Sequence, residues 1–145
     1  MFYKLTGMGI VWQKEYELGI EKIDSQHKRL IDLINQLDLA CGVKKSPEEV
    51  EKIFLSLVNY TNYHFTAEEM VMKKNGYPLF ENHKSKHDFF VQKISQFNRQ
   101  IREDNTLALS DTIDFLNTWL VEHIMGEDRK YVPILKEKFN GKKDD

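Results

Sequence analysis

The sequence predicts an all-α protein: an up-down-up-down four-helix bundle with an N-terminal arm and a short C-terminal helix. Apolar residues recur at spacings of three and four over four long stretches, which is typical of amphipathic helices. Short segments with glycine, proline or polar residues separate these stretches, and no segment shows the alternation expected of a strand. Because 145 residues suit one domain, we expect a single domain over 1–145, with an arm at 1–19, the bundle at about 20–128 and a C-terminal segment at 129–145.

The first two helices are predicted from their apolar stripes and their end signals. The first runs from near Ile20 to Cys41, and Gly42 is expected to end it as a glycine cap. The second begins at 46–49, where Ser, Pro, Glu and Glu supply an N-cap, a first-turn proline and a capping box. It ends at 75–78, where Asn-Gly-Tyr-Pro combines a glycine cap with a proline stop.

The third helix, predicted at about 80–103, carries an unbroken stripe of three-four spacing. His83 and His87 occupy two of its positions, about 40° apart and one turn apart on the same face. Two imidazoles placed in this way can share one metal ion. The spacing alone is weak evidence, because most such pairs are ordinary packed or half-exposed histidines.

The fourth helix is predicted to begin within 106–111 and to carry His123 on its buried stripe. Asp128 lies five residues further on, which would place it about 140° away from His123 on a regular α-helix. Either the helix loosens near Gly126, as in a π-bulge, or it ends there and the chain turns back. The proline that opens 133–139 is expected to interrupt any continuation and to start a short terminal helix.

All five histidines fall on core-facing stripes, and two acidic residues stand beside them in the same pattern. Buried carboxylates are costly unless a cation compensates them. Seven donors are too many for one tetrahedral zinc ion and suit two metals that share carboxylates. Imidazole with carboxylate favours iron first and also allows zinc, manganese or cobalt. The candidate ligands are His27, His64, Glu68, His83, His87, His123 and Asp128.

This ligand spacing resembles the seven-ligand pattern of the hemerythrin family, in its single-domain bacterial form. The matching residues are His27, His64-x3-Glu68, His83-x3-His87 and His123-x4-Asp128. The resemblance implies a non-haem centre of two iron ions, bridged by carboxylates and by an oxo or hydroxo group. It further implies three histidines on one iron (His83, His87 and His123), two on the other (His27 and His64), and Glu68 and Asp128 as bridges.

The resemblance also implies that dioxygen binds reversibly at an open position beside His27 and His64. The residues expected to line that position are Leu30, Phe65, Trp119, Leu120 and Ile124. Ordinary core packing explains the same five residues equally well. Tyr131 could hydrogen-bond a ligand of the centre, although a packed tyrosine is as good an explanation. No acid or base is predicted at the open position, which favours reversible binding over cleavage of the O–O bond.

The expected function is therefore oxygen storage, transport or delivery by a protein that is not an enzyme. Three alternatives stay open: oxygen or redox sensing through a separate partner, a di-iron redox enzyme such as a peroxidase or nitric oxide reductase, and iron handling. The 21 basic and 23 acidic residues are interspersed, which argues against nucleic acid as a partner. No secretory signal or membrane-length apolar run is visible, so we expect a cytoplasmic protein. An acceptor protein for the oxygen cannot be named from the sequence.

Overall fold

The computed structural model describes residues 9–103 and 106–141, and in these ranges the chain is helical without any strand. A 3-10 turn at Lys14–Tyr16 precedes the first long helix. The elements that follow are α1 (Glu21–Gly42), α2 (Pro47–Lys74), α3 (Phe80–Arg102), α4 (Thr106–Glu122), a π-helical turn (His123–Asp128) and α5 (Arg129–Gly141).

The four long helices form a closed ring of neighbours around one core. Helix α1 packs on α2, α2 on α3, α3 on α4, and α4 returns to α1. Each helix contributes side chains that are almost fully buried, for example Leu37, Phe54, Ile94 and Leu116. Short connections between neighbouring helices make them antiparallel. The predicted four-helix bundle with an arm and a C-terminal helix is confirmed.

Helix α2 begins and ends as its end signals predict. The backbone N–H of Glu49 donates to Ser46 Oγ at 3.2 Å, and Pro47 is the first helical residue. At the other end Gly76 has a φ of +66° and the N–H of Tyr77 donates to the carbonyl of Met72 at 3.0 Å. This glycine-dependent reversal closes the last turn of the helix.

Helix α1 ends at Gly42, one residue later than expected, so the prediction of Gly42 as its cap is wrong. Gly42 is still helical, and Lys44 takes the left-handed conformation with a φ of +57°. The N–H of Lys45 donates to the carbonyl of Ala40 at 3.0 Å, which is the long closing bond of a helix end. The position of that bond, and not the position of the glycine, fixes where the chain reverses.

Helix α4 continues through the π-helical turn into α5 without a break. The N–H of Arg129 donates to the carbonyl of Ile124, five residues earlier, as a π-helix requires. Of the two alternatives for Asp128, the loosened helix is therefore the one observed. The expectation that Pro133 interrupts the chain is wrong, because α5 begins at Arg129 and runs through this proline. A proline inside a helix removes one backbone hydrogen bond and can kink the helix without ending it.

The N-terminal arm is fixed to the bundle by polar contacts and by a buried ring. The side-chain amide of Asn35 pairs with both backbone groups of Ile10, each at 2.8 Å. Tyr16 is buried, and Arg129 donates to the carbonyl of Glu15 at 2.5 Å. Among the described helices, none has the length and apolarity needed to cross a bilayer.

Candidate metal centre

Five imidazoles meet in the interior of the bundle, and none is more than 4% exposed. They lie on four elements: His27 on α1, His64 on α2, His83 and His87 on α3, and His123 at the first position of the π-helical turn. The three-four spacing of each stripe aims these side chains at the core. In all five rings the Nε2 atom lies within 3.4 Å of a carboxylate oxygen of Glu68 or Asp128.

Three histidines and two carboxylate oxygens form the first cluster. The Nε2 atom of His123 lies 3.0 Å from that of His87 and 3.1 Å from that of His83. Asp128 Oδ1 lies 3.0 Å from the Nε2 atoms of His83 and His123, and Glu68 Oε1 lies 3.1 Å from that of His87. Neighbouring ligands in an octahedron with bonds of about 2.1 Å are separated by about 3.0 Å. The five donors thus have the spacing of an octahedral site. A four-coordinate zinc site needs fewer donors than this.

Two histidines and the other carboxylate oxygens form the second cluster. His27 Nε2 lies 3.0 Å from Asp128 Oδ2, and His64 Nε2 lies 3.4 Å from Glu68 Oε2. The distance from His27 Nε2 to Glu68 Oε2 is longer, at 3.9 Å. This cluster has four donors, one fewer than the first.

The two carboxylates connect the clusters, because each divides its oxygens between them. Glu68 directs Oε1 toward His83 and His87 and Oε2 toward His64. Asp128 directs Oδ1 toward His83 and Oδ2 toward His27. A carboxylate that offers one oxygen to each of two clusters can bridge two metal ions.

The buried charges of the site favour a bound cation. Burial opposes ionisation, but the imidazoles hold the pKa values of Glu68 and Asp128 well below their usual range. Burial also opposes a charged His83, yet the carboxylates of Asp128 and Glu68 raise its pKa to about 9. Neither oxygen of Asp128 makes a hydrogen bond, although imidazole nitrogens lie 3.0 Å away. The oxygens of Asp128 and these nitrogens are close together but do not hydrogen-bond, so their lone pairs are free for a metal ion.

Three side chains that belong to neither cluster form hydrogen bonds with the candidate ligands, and the sequence analysis missed two of them. Gln26 Oε1 lies 2.6 Å from His64 Nδ1, and Glu69 Oε2 lies 2.7 Å from His87 Nδ1. Tyr131 donates its hydroxyl to Glu68 Oε2 at 2.5 Å. The available signal was position, because Gln26 and Glu69 are polar residues directly beside a candidate ligand in the sequence.

Two of the five residues expected to line the oxygen position stack on imidazoles. Phe65 lies parallel to His87, with ring centroids 3.7 Å apart, and its centroid lies 5.9 Å from that of His64. Trp119 stacks on His123 at 4.3 Å and is half-buried. Phe65 therefore lies beside histidines of both clusters, and Trp119 lies beside a histidine of the first. The other three residues are buried in the core: Leu30, Leu120 and Ile124.

The fold and the site together define a class of protein: a helical bundle that can hold two metal ions between five imidazoles and two carboxylates. A family model described as "Hemerythrin HHE cation binding domain" matches residues 18–135, which include all seven candidate ligands. A bacteriohemerythrin from Clostridium acetobutylicum is 35% identical over 127 residues, covering 84% of this chain and 98% of that protein. A myohemerythrin from Theromyzon tessulatum is 34% identical over 122 residues, covering 83% of this chain and 88% of that protein.

A solved structure described as wild-type hemerythrin agrees with this likeness. It superimposes with a TM-score of 0.78 at 32% identity and covers 87% of this chain and 97% of that chain. The chain belongs to the hemerythrin family. The family binds dioxygen at a non-haem centre of two iron ions, and the clustered donors of this chain suit such a centre.

Proposed function

We propose that the seven clustered side chains hold two iron ions and that the protein binds dioxygen reversibly, for storage, transport or delivery. His83, His87 and His123 hold one ion, His27 and His64 hold the other, and Glu68 and Asp128 bridge them. The whole chain, 1–145, works as a single hemerythrin-like domain, in the cytoplasm and without nucleic acid as a partner. The two iron ions supply the electrons that dioxygen accepts when it binds.

The division of each carboxylate between the two clusters is the observation that carries this proposal. A single-metal site would gather both oxygens of a carboxylate, or only one, on the same side. Here Oε1 and Oε2 of Glu68 face different histidines, and so do Oδ1 and Oδ2 of Asp128. Two adjacent ions account for this arrangement.

The unequal donor numbers support a binding position on the two-histidine side. The first cluster has five protein donors and the second has four. With a shared solvent bridge, six-coordinate ions would leave one position open beside His27 and His64. Leu30, Phe65, Trp119, Leu120 and Ile124 are the proposed lining of that position.

Tyr131 supports binding over O–O cleavage. Its hydroxyl lies 2.5 Å from Glu68 Oε2, the oxygen that faces the two-histidine side. Burial, together with the negative charges of Glu68 and Asp128, raises the pKa of Tyr131 well above its usual value of 10.0. Because the hydroxyl already donates its proton to Glu68, it is not free to give that proton to a bound oxygen molecule.

The proposal is tested by visible spectra of the iron-loaded, reduced protein through repeated cycles of air and oxygen removal. We expect a charge-transfer band that appears with oxygen and disappears on its removal over several cycles. A protein that oxidises once and stays ferric, or that turns over peroxide or nitric oxide, would contradict the carrier and favour a redox enzyme.

Trp119→Ala tests the covering role of that ring in the same experiment. The loss of the half-buried indole should leave two irons bound and should raise the rate of autoxidation, because water gains access to the centre. An unchanged rate would remove Trp119 from the proposed lining.

A further inference from the structure

Two of the metal-facing imidazoles have a side-chain partner on the nitrogen that faces away from the centre, and the two partners differ in charge. His64 Nδ1 meets the neutral amide of Gln26 at 2.6 Å, whereas His87 Nδ1 meets the carboxylate of Glu69 at 2.7 Å. Since Nε2 offers its lone pair to a metal, Nδ1 carries the proton and donates it in both contacts. One histidine of each cluster is therefore polarised, but by unequal acceptors.

The surroundings of the two acceptors fit their charges. Gln26 is buried, and a neutral amide loses less hydration there than a carboxylate would. The side chain of Glu69 is 20% exposed and borders a cavity of about 320 Å³ between α2 and α3. Asn62, Thr66 and Gln92 add polar groups to the wall of this cavity. Glu69 therefore lies within reach of water while it accepts from His87.

An anionic acceptor changes the metal more than a neutral one does. Hydrogen bonds to an ionised acceptor are about twice as strong as those between neutral groups. The imidazole of His87 thereby becomes the stronger electron donor, and the negative charge of Glu69 adds a direct attraction for the more highly charged ion. Both effects favour the ferric over the ferrous state on the three-histidine side.

We propose that Glu69 and Gln26 are positioning residues that give the two iron ions different reduction potentials. Glu69 lowers the potential of the ion held by His87, and Gln26 leaves the ion held by His64 at the higher potential. Each ion changes by one electron, Fe³⁺ + e⁻ → Fe²⁺, so the difference separates two one-electron steps. This inference rests on the proposed ligand assignment.

The test is an anaerobic spectroelectrochemical titration of the iron-loaded protein and of two isosteric variants. Glu69→Gln should raise the potential of one step, with at least a tenfold change in the ratio of ferric to ferrous affinity, which is about 59 mV for one electron. Gln26→Glu should lower the potential of the other step. Both variants keep a hydrogen-bond acceptor of the same length, so the hydrogen bond itself is retained.

Asp88→Asn is the matched control. It removes the same unit of charge from the wall of the same cavity, but Asp88 binds Lys84 and not an imidazole. This variant should leave both potentials unchanged.

Two results would overturn the inference: unchanged potentials in Glu69→Gln with two irons bound, or an equal shift of both steps. A lower melting temperature with unchanged potentials would assign Glu69 a structural role only. Failure of the proposed function looks different, because it appears in the unmodified chain, which would then bind no iron pair or would not bind oxygen reversibly.

Discussion

At the scale of single residues, Glu68 connects more of the centre than any other described side chain. Its Oε1 lies 3.1 Å from His87 Nε2, and its Oε2 lies 3.4 Å from His64 Nε2. Tyr131 donates to Oε2 from the opposite side. Only a group with two equivalent anionic oxygens can bind a metal ion on each side and also accept from Tyr131. An amide cannot replace it, because one of its two polar atoms is a hydrogen-bond donor.

Glu68→Gln should therefore lose iron while it keeps the size of the side chain. Changes in groups that only support a ligand already cost about 10–100-fold in metal affinity, so we expect the loss of a bridge to exceed about 100-fold. Iron retained per chain after dialysis measures this. Glu48→Gln, an exposed residue in the first turn of α2, is the control and should keep both irons. Two irons in Glu68→Gln would show that Glu68 is not a bridge.

Helical spacing predicts which residues face the core, but not which groups meet there. The positions of His83 and His87 on one face follow directly from their separation of four residues, and both rings are buried in the cluster. The supporting contacts join residues from different helices: Gln26 and His64 are 38 positions apart, and Glu69 and His87 are 18 apart. Such pairs depend on how helices pack against one another, which local periodicity does not contain.

At the scale of elements, the π-helical turn decides where the second bridging carboxylate points. The five-residue separation of His123 and Asp128 allowed a loosened helix or a chain reversal, because either brings both side chains to one place. The structure has the π-helical turn, and both residues lie within it, with Asp128 Oδ1 3.0 Å from His123 Nε2. The 3-10 turn of the arm packs against this π-helical turn, a tertiary contact that local helix propensity does not contain.

The end of α1 gives a prediction at this scale. Gly42 is helical and has open space where a Cβ would lie, so Gly42→Ala should stabilise the protein by about 0.5–1 kcal/mol. Lys44→Gly should also stabilise it, by up to about 1 kcal/mol, because Lys44 has a φ of +57°. Urea unfolding measures both changes. Destabilisation by Gly42→Ala would mean that Gly42, and not Lys44, is the left-handed residue.

At the scale of the whole molecule, the bundle encloses two carboxylates and five imidazoles where a core normally holds apolar groups. With iron bound, the cations balance the carboxylates. Without iron, protons on the histidines must take over this role, and the carboxylates of Asp128 and Glu68 raise the pKa of His83 to about 9. The stability of the metal-free protein should therefore depend on pH in a way that the iron-loaded protein does not.

This dependence has a definite sign. The folded-state pKa of His83 is about 9 against a reference value of 6.5, so its protonation stabilises the metal-free fold fully below pH 6.5. That contribution is lost as the pH rises through 9. The pKa values of His27 and His87 are also raised, which adds to the loss, whereas that of His64 is lowered.

Urea unfolding of chelator-treated protein at several pH values from 6 to 10 measures the effect. We expect the free energy of unfolding to fall as the pH rises across this range, and His83→Asn should reduce the fall. A stability that rises with pH would contradict the description of the metal-free centre.

The central claim is that two iron ions share Glu68 and Asp128, and anomalous scattering from iron in crystals of the loaded protein tests it most directly. We expect two peaks about 3.5–4 Å apart. One peak should lie among the Nε2 atoms of His83, His87 and His123, and the other should lie beside those of His27 and His64. A single peak, or two peaks that do not each adjoin an oxygen of both carboxylates, would contradict the account.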